Sequence, residues 1–406
     1  MTLTARLLVG TMLTTLVAMP AMAQGETANP APPNAPDQTP AFEGQTRAPL
    51  PETATAVETE VIAEGLPHLW AMEFLPDGRM LVTAKEGKLH IVTAEGEATE
   101  VEGEMPAVAF GGQGGLLDVA LAPDFDSSGR IYLSFAEPRD DGNGTALAAA
   151  TLTLDEAGGA TISDVETIFR QEPTYDGELH FGSRIVPTED GNLFLTVGER
   201  SDEPIRDQAQ ELASGLGKIF RITPEGAPVE GNPFADTADA LPEIWSLGHR
   251  NVQSATLDGE GRLWTVEHGA KGGDELNKPE AGLNYGWPEV TYGVAYSGAA
   301  IGEGITQNED TEQPVYYWDP VIAPSGMAYY EGEEFPDWDG AFLVGGLVSQ
   351  GVVVLKMDGD RVASEERVDV GARVRDVRVG PDGAVYAVTE NRDAGTSTIV
   401  RISSGS

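Results

Sequence analysis

The sequence predicts an all-β fold, a six-bladed β-propeller built from four-stranded antiparallel blades. The first observation is a repeated unit, in which a turn rich in Pro, Asp and Gly precedes a short run of alternating apolar residues. The unit occurs six times at intervals of about 45 to 80 residues, which is typical of propeller blades with insertions. The second observation is the composition, because 49 glycines and 27 prolines favour turns over long helices.

The six repeats also predict how the ring is built. They begin at Leu75, Ala122, Pro187, Leu257, Pro336 and Gly380. A β-sandwich or barrel is the structural alternative, but neither repeats an Asp-Gly turn before an equivalent strand six times. We expect a strand near residues 58–63 to pair with one near residues 396–402, which would close the ring and remove a free edge. Loops from several blades would then meet at one end of the channel.

The N-terminus predicts export. Arg6, the apolar run of residues 7–17 and Ala-Met-Ala at residues 21–23 have the features of a secretory signal peptide, residues 1–23. A membrane anchor is the weaker alternative, because the run is too short to span a bilayer and is followed by Pro20. We therefore expect a periplasmic protein with no membrane span after cleavage. Residues 24–55 predict a disordered linker, and residues 56–406 the propeller domain.

Charge and cysteine content exclude several classes. The chain has 66 acidic and 25 basic residues among 406, a net charge of −41, so a non-specific nucleic-acid surface is excluded. An anionic ligand must be held by a few concentrated arginines. There is no cysteine, hence no disulfide framework. The sequence contains no recognisable P-loop, dinucleotide-binding glycine pattern, Ser-His-Asp arrangement or His/Cys zinc cluster.

Residues 244–298 are dense in groups that carry chemistry. They include an Arg-Asn pair, a His-Gly turn, a Gly-Gly-Asp-Glu loop and an Asn-Tyr-Gly-Trp-Pro turn. Any one of these suits an ordinary tight turn of a β-rich protein. Together they bring cationic side chains, exposed carbonyls and carboxylates into one region, as an anionic cofactor and a hard cation would require.

His180 is the candidate general base. It stands just before a strand, and the next strand of the same repeat ends in Gly-Glu-Arg with Glu199. A carboxylate that accepts from one ring nitrogen fixes the tautomer and raises the basicity of the other nitrogen. A histidine with a purely structural role at a strand end is the alternative. His68 and His90 lie in strand-like apolar surroundings, and we interpret both as structural.

Arg373 and Arg375 are the candidate anion-binding pair. They stand two residues apart in a predicted strand, so both side chains project from the same face and can contact one ligand. Such a pair is best explained by a polyanion. Arg184, by contrast, is interpreted as a surface arginine paired with one of the many acidic residues.

With these residues in place, the chain resembles the soluble pyrroloquinoline-quinone (PQQ)-dependent sugar dehydrogenases, in particular their aldose sugar dehydrogenase branch. The resemblance covers about residues 65–402. Seven motifs carry it in order: GGQGGLLDVALAPDF (residues 111–125), HFGSR (180–184), GHRN (248–251), EHGAKGGDELN (267–277), NYGWP (284–288), AYSG (295–298) and RVRDV (373–377).

The resemblance implies a function and a cofactor. It implies oxidation of aldose sugars at the anomeric carbon to lactones, with His180 as general base, Glu199 as its partner, and hydride transfer to PQQ. PQQ is a flat quinone with three carboxylates, which suits arginines. The positions that the resemblance assigns to PQQ binding are Gln113, Arg250, Asn251, Tyr296, Gly346, Arg373, Val374 and Arg375.

The resemblance also implies calcium. The carbonyls of Gly269 and Ala270 match positions that hold the ion against the quinone, and Glu275 and Tyr285 match a further calcium position. An ordinary acidic surface turn is the alternative for the second position.

Three residues depart from the family pattern. Ala270 replaces a proline, which leaves a carbonyl ligand on a less rigid turn. Val348 stands where several members have a lysine that reaches the cofactor, so a cationic contact is missing there. Glu199 replaces the aspartate of the glucose-specific branch and keeps its role.

Two other functions remain open at this stage. A calcium-dependent lactonase-type hydrolase would need a metal open to water in the channel, held by carboxylate and Asn side chains, and has no use for paired arginines. A non-catalytic ligand-binding propeller would not need a base paired with a carboxylate. The dehydrogenase would take an aldose as substrate and pass electrons to an acceptor, a cytochrome or a quinone, that the sequence does not identify.

Overall fold

The computed structural model describes residues 26–155 and 158–405. Six small antiparallel sheets make up this part of the chain, so the predicted six-bladed propeller is confirmed. The predicted signal peptide, residues 1–23, lies outside the described residues. No helix within residues 26–155 and 158–405 is long and apolar enough to cross a membrane.

The sheet strands follow one another with few helices between them. The first twelve strands are β1 (Val57–Leu66), β2 (Leu69–Phe74), β3 (Met80–Ala84), β4 (Lys88–Val92), β5 (Ala98–Glu100), β6 (Glu102–Gly103), β7 (Leu116–Leu121), β8 (Arg130–Arg139), β9 (Gly142–Leu154), β10 (Ala160–Arg170), β11 (Ile185–Pro187) and β12 (Leu193–Val197). The others are β13 (Lys218–Ile222), β14 (Ile244–Leu247), β15 (Val252–Leu257), β16 (Leu263–Glu267), β17 (Asp274–Asn277), β18 (Tyr316–Trp318), β19 (Pro324–Tyr329), β20 (Phe342–Gly346), β21 (Gly351–Asp358), β22 (Arg361–Asp369), β23 (Arg373–Val379), β24 (Val385–Asn391) and β25 (Thr396–Ser404). The described helical turns are α1 (Phe125–Ser128) and the 3₁₀ turns Ile205–Gln210 and Pro336–Trp338.

The strands group into blades in chain order. Blades 1 to 5 are β2–β5, β7–β10, β11–β14, β15–β18 and β19–β22, with β6 added to blade 2 as a short fifth strand. Blade 6 combines β23, β24 and β25 with β1, which pairs with β25 as predicted. The first strand of each blade contacts the first strand of the next, and β23 contacts β2. The ring is therefore closed around a central channel.

The repeated Asp-Gly turn has one physical cause. In every blade it joins the first strand to the second, and its glycine has a positive φ between 65° and 85°, which an L side chain rarely adopts. The six glycines are Gly78, Gly129, Gly191, Gly261, Gly340 and Gly383. The turn chemistry that the sequence repeats is therefore the chemistry that each blade requires.

The hydrophobic core lies mainly between neighbouring blades. One cluster packs Trp70 and Leu81 of blade 1 against Leu133 of blade 2, and another packs Met72 of blade 1 against Ile399 of blade 6. Because the middle strands are covered on both faces, their residues are buried without alternation, as in β3. This packing holds the blade ends in fixed positions around the channel.

Residues 26–55, predicted as a disordered linker, are instead ordered against blades 4 and 5. The side chain of Gln45 is buried, and its amide donates to the Pro314 carbonyl at 2.9 Å. The backbone carbonyl of Gln45 accepts from the backbone N–H of Tyr317 in β18 at 2.8 Å. Arg47 donates to the Asp319 carbonyl at 2.7 Å. Composition did not reveal this, because the segment is ordered by hydrogen bonds to the outer edge strand rather than by burial of large apolar side chains.

A buried ionic network crosses the channel, and Arg184 is its centre. Its guanidinium lies 2.8 Å from Asp118 of β7 and 3.3 Å from Asp376 of β23, and it stacks on Trp70 at 4.6 Å. The interpretation of Arg184 as a surface arginine is therefore wrong, because only 1% of it is exposed. The network joins blades 1, 2, 3 and 6 beneath the candidate site.

Replacing Arg184 by methionine is expected to destabilise the fold strongly. Among the residues that the structure describes, Asp118 and Asp376 would keep only Arg378, at 3.8 and 3.1 Å, as a cationic partner. Removing one partner from a buried ionic network of this kind costs about 3–5 kcal/mol of unfolding free energy. Urea denaturation measures the change. Arg170→Met is the matched control, since Arg170 forms an exposed pair with Glu137, worth at most about 1 kcal/mol. Equal effects of the two substitutions would contradict the assigned role of Arg184.

Candidate active site

The candidate site is a cavity of about 250 Å³ at one end of the channel. It lies where the first strand of a blade begins and the second strand ends, for example between His68 and Lys85 of blade 1. Four cations line it, and the carboxylate among its lining residues is Glu390. The cations are Lys85, Arg373, Arg375 and Arg392. The lining therefore has an excess of positive charge in a strongly acidic protein.

Glu390 fixes the arginine pair. Its two carboxylate oxygens accept from Arg373 Nε at 2.7 Å and from Arg375 Nε and Nη2 at 3.0 and 2.8 Å. Burial would raise the pKa of Glu390, but Arg375, His68 and Arg373 outweigh it and hold this pKa well below the usual range. The two guanidinium groups are thus held side by side by one ionised carboxylate, as the two-residue spacing predicted.

His180 and Glu199 form the pair that the sequence predicted. His180 Nδ1 lies 3.0 Å from Glu199 Oε1. Burial would raise the pKa of Glu199, yet His180, Arg250 and the Ser201 backbone N–H lower it overall. Because an ionised carboxylate only accepts hydrogen bonds, Nδ1 carries the proton and Nε2 is left with a free lone pair. The pair therefore has the arrangement of a positioned base.

The loop around His180 is held in a strained conformation next to the cavity. His180 has φ +50°, a region that non-glycine residues rarely occupy. Its backbone N–H donates at 2.8 Å to the side chain of Gln113, which lines the cavity. Arg200 donates to the carbonyls of Leu179 and Gly177. These contacts stabilise the strained turn and place the imidazole beside the cavity.

Arg250 and Asn251 lie behind the cavity rather than in its lining. Arg250 Nη1 donates to the carbonyls of His268 and Gly269 at 3.1 and 2.6 Å, and its buried Nε has no hydrogen-bond partner among the described residues. Asn251 accepts from the Gly182 N–H at 3.1 Å and so helps to hold the His180 loop. The orphaned Nε marks a polar atom that a ligand would satisfy.

The remaining residues predicted for the cofactor are placed differently. Gly346 ends β20, and its neighbour Leu347 lines the cavity. The side chain of Val374 lies in the interblade core, and its carbonyl accepts from Ser325 at 2.7 Å. Alternation along β23 makes this unavoidable when Arg373 and Arg375 face the cavity. Tyr296 is 77% exposed on a turn and does not line the cavity.

Glu275 lies in a buried cluster of oxygen atoms. Asn277 Nδ2 bridges Glu267 at 3.1 Å and Glu275 at 3.4 Å, while the buried Asn277 Oδ1 has no partner within the described chain. Burial and repulsion by Glu267 raise the pKa of Glu275 well above its usual value. Two crowded carboxylates and an orphaned amide oxygen are a donor set that suits a hard cation.

Tyr285 borders this cluster through its ring. The ring stacks on His249 at 4.9 Å, and its hydroxyl is used in bonds to Lys278 and Glu280. Only the carbonyl of Tyr285 is therefore suited to a metal. The described residues contain no group of three or more His, Cys, Asp or Glu side chains arranged as a metal site.

The other predicted calcium position is occupied differently. The Gly269 carbonyl, which the resemblance assigns as a calcium ligand, accepts from the Arg250 guanidinium at 2.6 Å. The adjacent Ala270 is buried in the same turn, and Gly269 N–H donates to Asp274. Because a carbonyl oxygen has two lone pairs, a calcium ion bound here would share this oxygen with the Arg250 guanidinium.

Ser246, His249 and Glu267 form a chain of hydrogen bonds that the sequence did not predict. Ser246 Oγ lies 2.8 Å from His249 Nε2, and His249 Nδ1 lies 3.0 Å from Glu267. Ser246 and His249 are fully buried, so no substrate can reach the hydroxyl. Glu267 also accepts from the Arg250 N–H at 2.6 Å. This chain of hydrogen bonds therefore holds the backbone of Arg250 in place, and Ser246 does not act as a nucleophile.

Several lining residues were missed or misread from the sequence. His68, interpreted as structural, lines the cavity and lies 3.7 Å from Glu390. Lys85, Gln253 and His268 also line it. The sequence does contain a signal for them, because each stands at or beside the start of a first strand or the end of a second strand, the position that also supplies Arg373.

Comparisons with known proteins agree with this geometry. Residues 66–401 match the family model described as Glucose / Sorbosone dehydrogenase. The aldose sugar dehydrogenase YliI of Escherichia coli is 43% identical over 341 residues, covering 82% of this chain and 90% of that protein.

Two solved structures are also similar. The apo-form of the soluble aldose sugar dehydrogenase from E. coli has a TM-score of 0.80 at 40% identity, covering 86% of this chain and all of that one. The PQQ-bound aldose sugar dehydrogenase of Streptomyces coelicolor has a TM-score of 0.68 at 30% identity, covering 86% and 99%. The chain therefore belongs to the glucose/sorbosone dehydrogenase family of oxidoreductases.

Proposed function

We propose that this protein is a periplasmic, PQQ-dependent dehydrogenase that oxidises aldose sugars at the anomeric carbon to lactones. The observation that carries the proposal is the His180–Glu199 pair beside a cavity lined by four cations. The PQQ-bound relative supports the cofactor, and the aldose sugar dehydrogenases support the substrate class. Export rests on the N-terminal sequence alone. Electrons would leave to a cytochrome or a quinone.

The residues present fit PQQ. Arg373 and Arg375 are bonded to Glu390 through one edge, and each has further N–H groups available in the cavity. Lys85 and Arg392 add two more charges, so a tricarboxylate would meet an excess of cations rather than a neutral pocket. Gln113 and Gln253 also line the cavity and would supply neutral polar contacts to the cofactor. When bound, the quinone supplies the acceptor of two electrons and a proton, as hydride.

The protein's own contribution to the reaction is proton transfer. His180 Nε2 would take the proton of the anomeric hydroxyl while the hydrogen on the anomeric carbon leaves with its bonding electron pair, as hydride. Glu199 would hold the imidazole in the required tautomer and stabilise the imidazolium that forms. For calcium, the oxygen cluster of Glu275 and Asn277 fits a hard cation, which would neutralise the crowded carboxylates there.

The two other functions fit the cavity less well. A lactonase-type site needs carboxylate and amide ligands facing the channel, whereas the lining here carries four cations and one carboxylate already bonded to two arginines. A binding module has no need for a strained histidine paired with a buried carboxylate. Both comparisons favour redox chemistry with an anionic cofactor.

Reconstitution tests the proposal. Purified apoprotein would receive calcium and PQQ separately and together, and oxidation of a panel of aldoses would be followed with a dye acceptor. We expect saturable activity that needs PQQ, with lactone as the product. Failure of PQQ to bind or to support turnover across the panel would overturn the proposal, and PQQ binding without turnover would favour the binding module.

The acid limb of the pH profile is expected below pH 6.5. Burial first, and then the positive charge of Arg250, lower the pKa of His180, while Glu199 acts against them. The neutral base is therefore retained as the pH falls through 6.5 and lost only below it. Measuring kcat/KM from pH 5 to 8 would show this. Glu199→Gln removes the negative charge that raises the pKa of His180, so the acid limb of this variant should lie at still lower pH. A wild-type acid limb centred above pH 7 would contradict the role of His180 as the base.

A further inference from the structure

Lys85 is a buried cation whose contacts are incomplete. It follows β3 directly, lines the cavity and is only 6% exposed. Its ammonium donates to the Gly112 carbonyl at 2.9 Å, which is its only hydrogen bond within residues 26–155 and 158–405. An ammonium has three N–H donors, so two are left without protein partners in the cavity.

Lys85 also lacks a carboxylate of its own. Glu390 is already bonded to Arg373 and Arg375, and no acidic side chain of the described residues lies within ion-pair distance of the Lys85 ammonium. Burial, and then repulsion by Arg375, lower the pKa of Lys85 to about 8. A positive charge held in this way gains stability when an anion enters.

We propose that Lys85 is a further cofactor-binding residue, which donates to a carboxylate of PQQ from blade 1 while the arginine pair does so from blade 6. This inference rests on the proposed function. Lys85 would also compensate for the cationic contact expected to be missing at Val348, whose side chain is 55% exposed and carries no charge. The positive charge that Val348 of blade 5 cannot supply would then come from Lys85 of blade 1, which lines the cavity.

The consequence is a pH-dependent affinity. In the free protein Lys85 loses its proton near pH 8, whereas a bound carboxylate would hold the proton in place. PQQ affinity should therefore fall as the pH rises from 7 to 9. The other charged groups near Lys85 are Arg375, Arg392, Glu390 and Glu86, and His68 also lines the cavity. Lys85→Arg keeps the charge, so its affinity should be flat.

Equilibrium titration of apoprotein with PQQ, followed by quenching of tryptophan fluorescence, tests the inference without turnover. Lys85→Met is expected to weaken PQQ binding about 10- to 100-fold at pH 7, and Lys85→Arg to restore most of it. Lys88→Met is the matched control, since Lys88 is an exposed lysine of the same blade paired with Glu100, and it should bind as wild type does.

The outcomes separate this inference from the proposed function. Wild-type protein that binds PQQ while Lys85→Met binds within twofold of it overturns the role of Lys85 and leaves the dehydrogenase intact. Wild-type protein that does not bind PQQ overturns both. An unchanged melting curve of each variant, measured by circular dichroism, would assign the lower PQQ affinity of Lys85→Met to the missing charge rather than to unfolding. An equally low PQQ affinity of Lys85→Arg would contradict that explanation.

Discussion

Replacing His180 by asparagine is expected to lower kcat by about 10²- to 10⁴-fold, the usual contribution of a positioned acid–base group. Asparagine can still donate to Glu199 but cannot take a proton at the position of Nε2. PQQ affinity should change little, because the cations that line the cavity are untouched. Steady-state kinetics at saturating PQQ, together with a PQQ titration, measure the two effects.

His90→Asn is the matched control for this experiment. His90 lies on β4 and does not line the cavity, so the variant should keep its kcat. A His180→Asn enzyme that retains more than a tenth of wild-type kcat would rule out His180 as the base. A loss of PQQ affinity equal to the loss of kcat would show that His180 acts by binding rather than by proton transfer.

Removing both Arg373 and Arg375 as alanines is expected to weaken PQQ binding by about 10²- to 10⁴-fold. Each charge-assisted hydrogen bond contributes about 1.5–3 kcal/mol. In the described part of the chain, the double substitution would also leave Glu390 with only His68, 3.7 Å away, as a partner, so its carboxylate would oppose the entry of an anionic cofactor. The combined effect should therefore exceed that of Lys85→Met. A PQQ titration measures it, and added salt should weaken the wild-type affinity more than that of the variant.

Two controls accompany the double substitution. Arg401→Ala removes an arginine of the same blade that pairs with Asp382 on the outer side, and it should not change PQQ affinity. Replacing Arg373 and Arg375 by lysines keeps the charge but loses the paired N–H donors, so its affinity should be intermediate. Unchanged affinity in the double alanine variant would mean that PQQ, if it binds, lies elsewhere.

The blade repeat was readable from the sequence because its cause is local. A glycine with positive φ is needed at every first turn, and runs of apolar strand residues are needed on either side. The placement of Arg373 and Arg375 on one face was also predictable, since residues two apart in a strand share a face. The pairing of His180 with Glu199 followed from adjacent strand ends of one blade.

The errors have physical causes that lie outside local sequence. Arg184 is surrounded by strand residues like any surface arginine, and only the closed ring places Asp118 and Asp376 against it. The N-terminal segment is ordered through backbone bonds of Gln45 to an edge strand some 270 residues away in sequence, which composition cannot show. His68 looked like a strand residue because the strand begins immediately after it, at Leu69.

The sequence by itself determined the number of blades, the arginine pair, the histidine–carboxylate pair and the family, since each depends on contacts within one repeat or on motifs in order. The tertiary structure alone decided which side chains meet across blades. It placed Lys85 of blade 1 beside the arginines of blade 6, and it placed Arg184 of blade 3 between Asp118 of blade 2 and Asp376 of blade 6. These contacts join residues far apart in the chain, and closure of the ring is what brings them together.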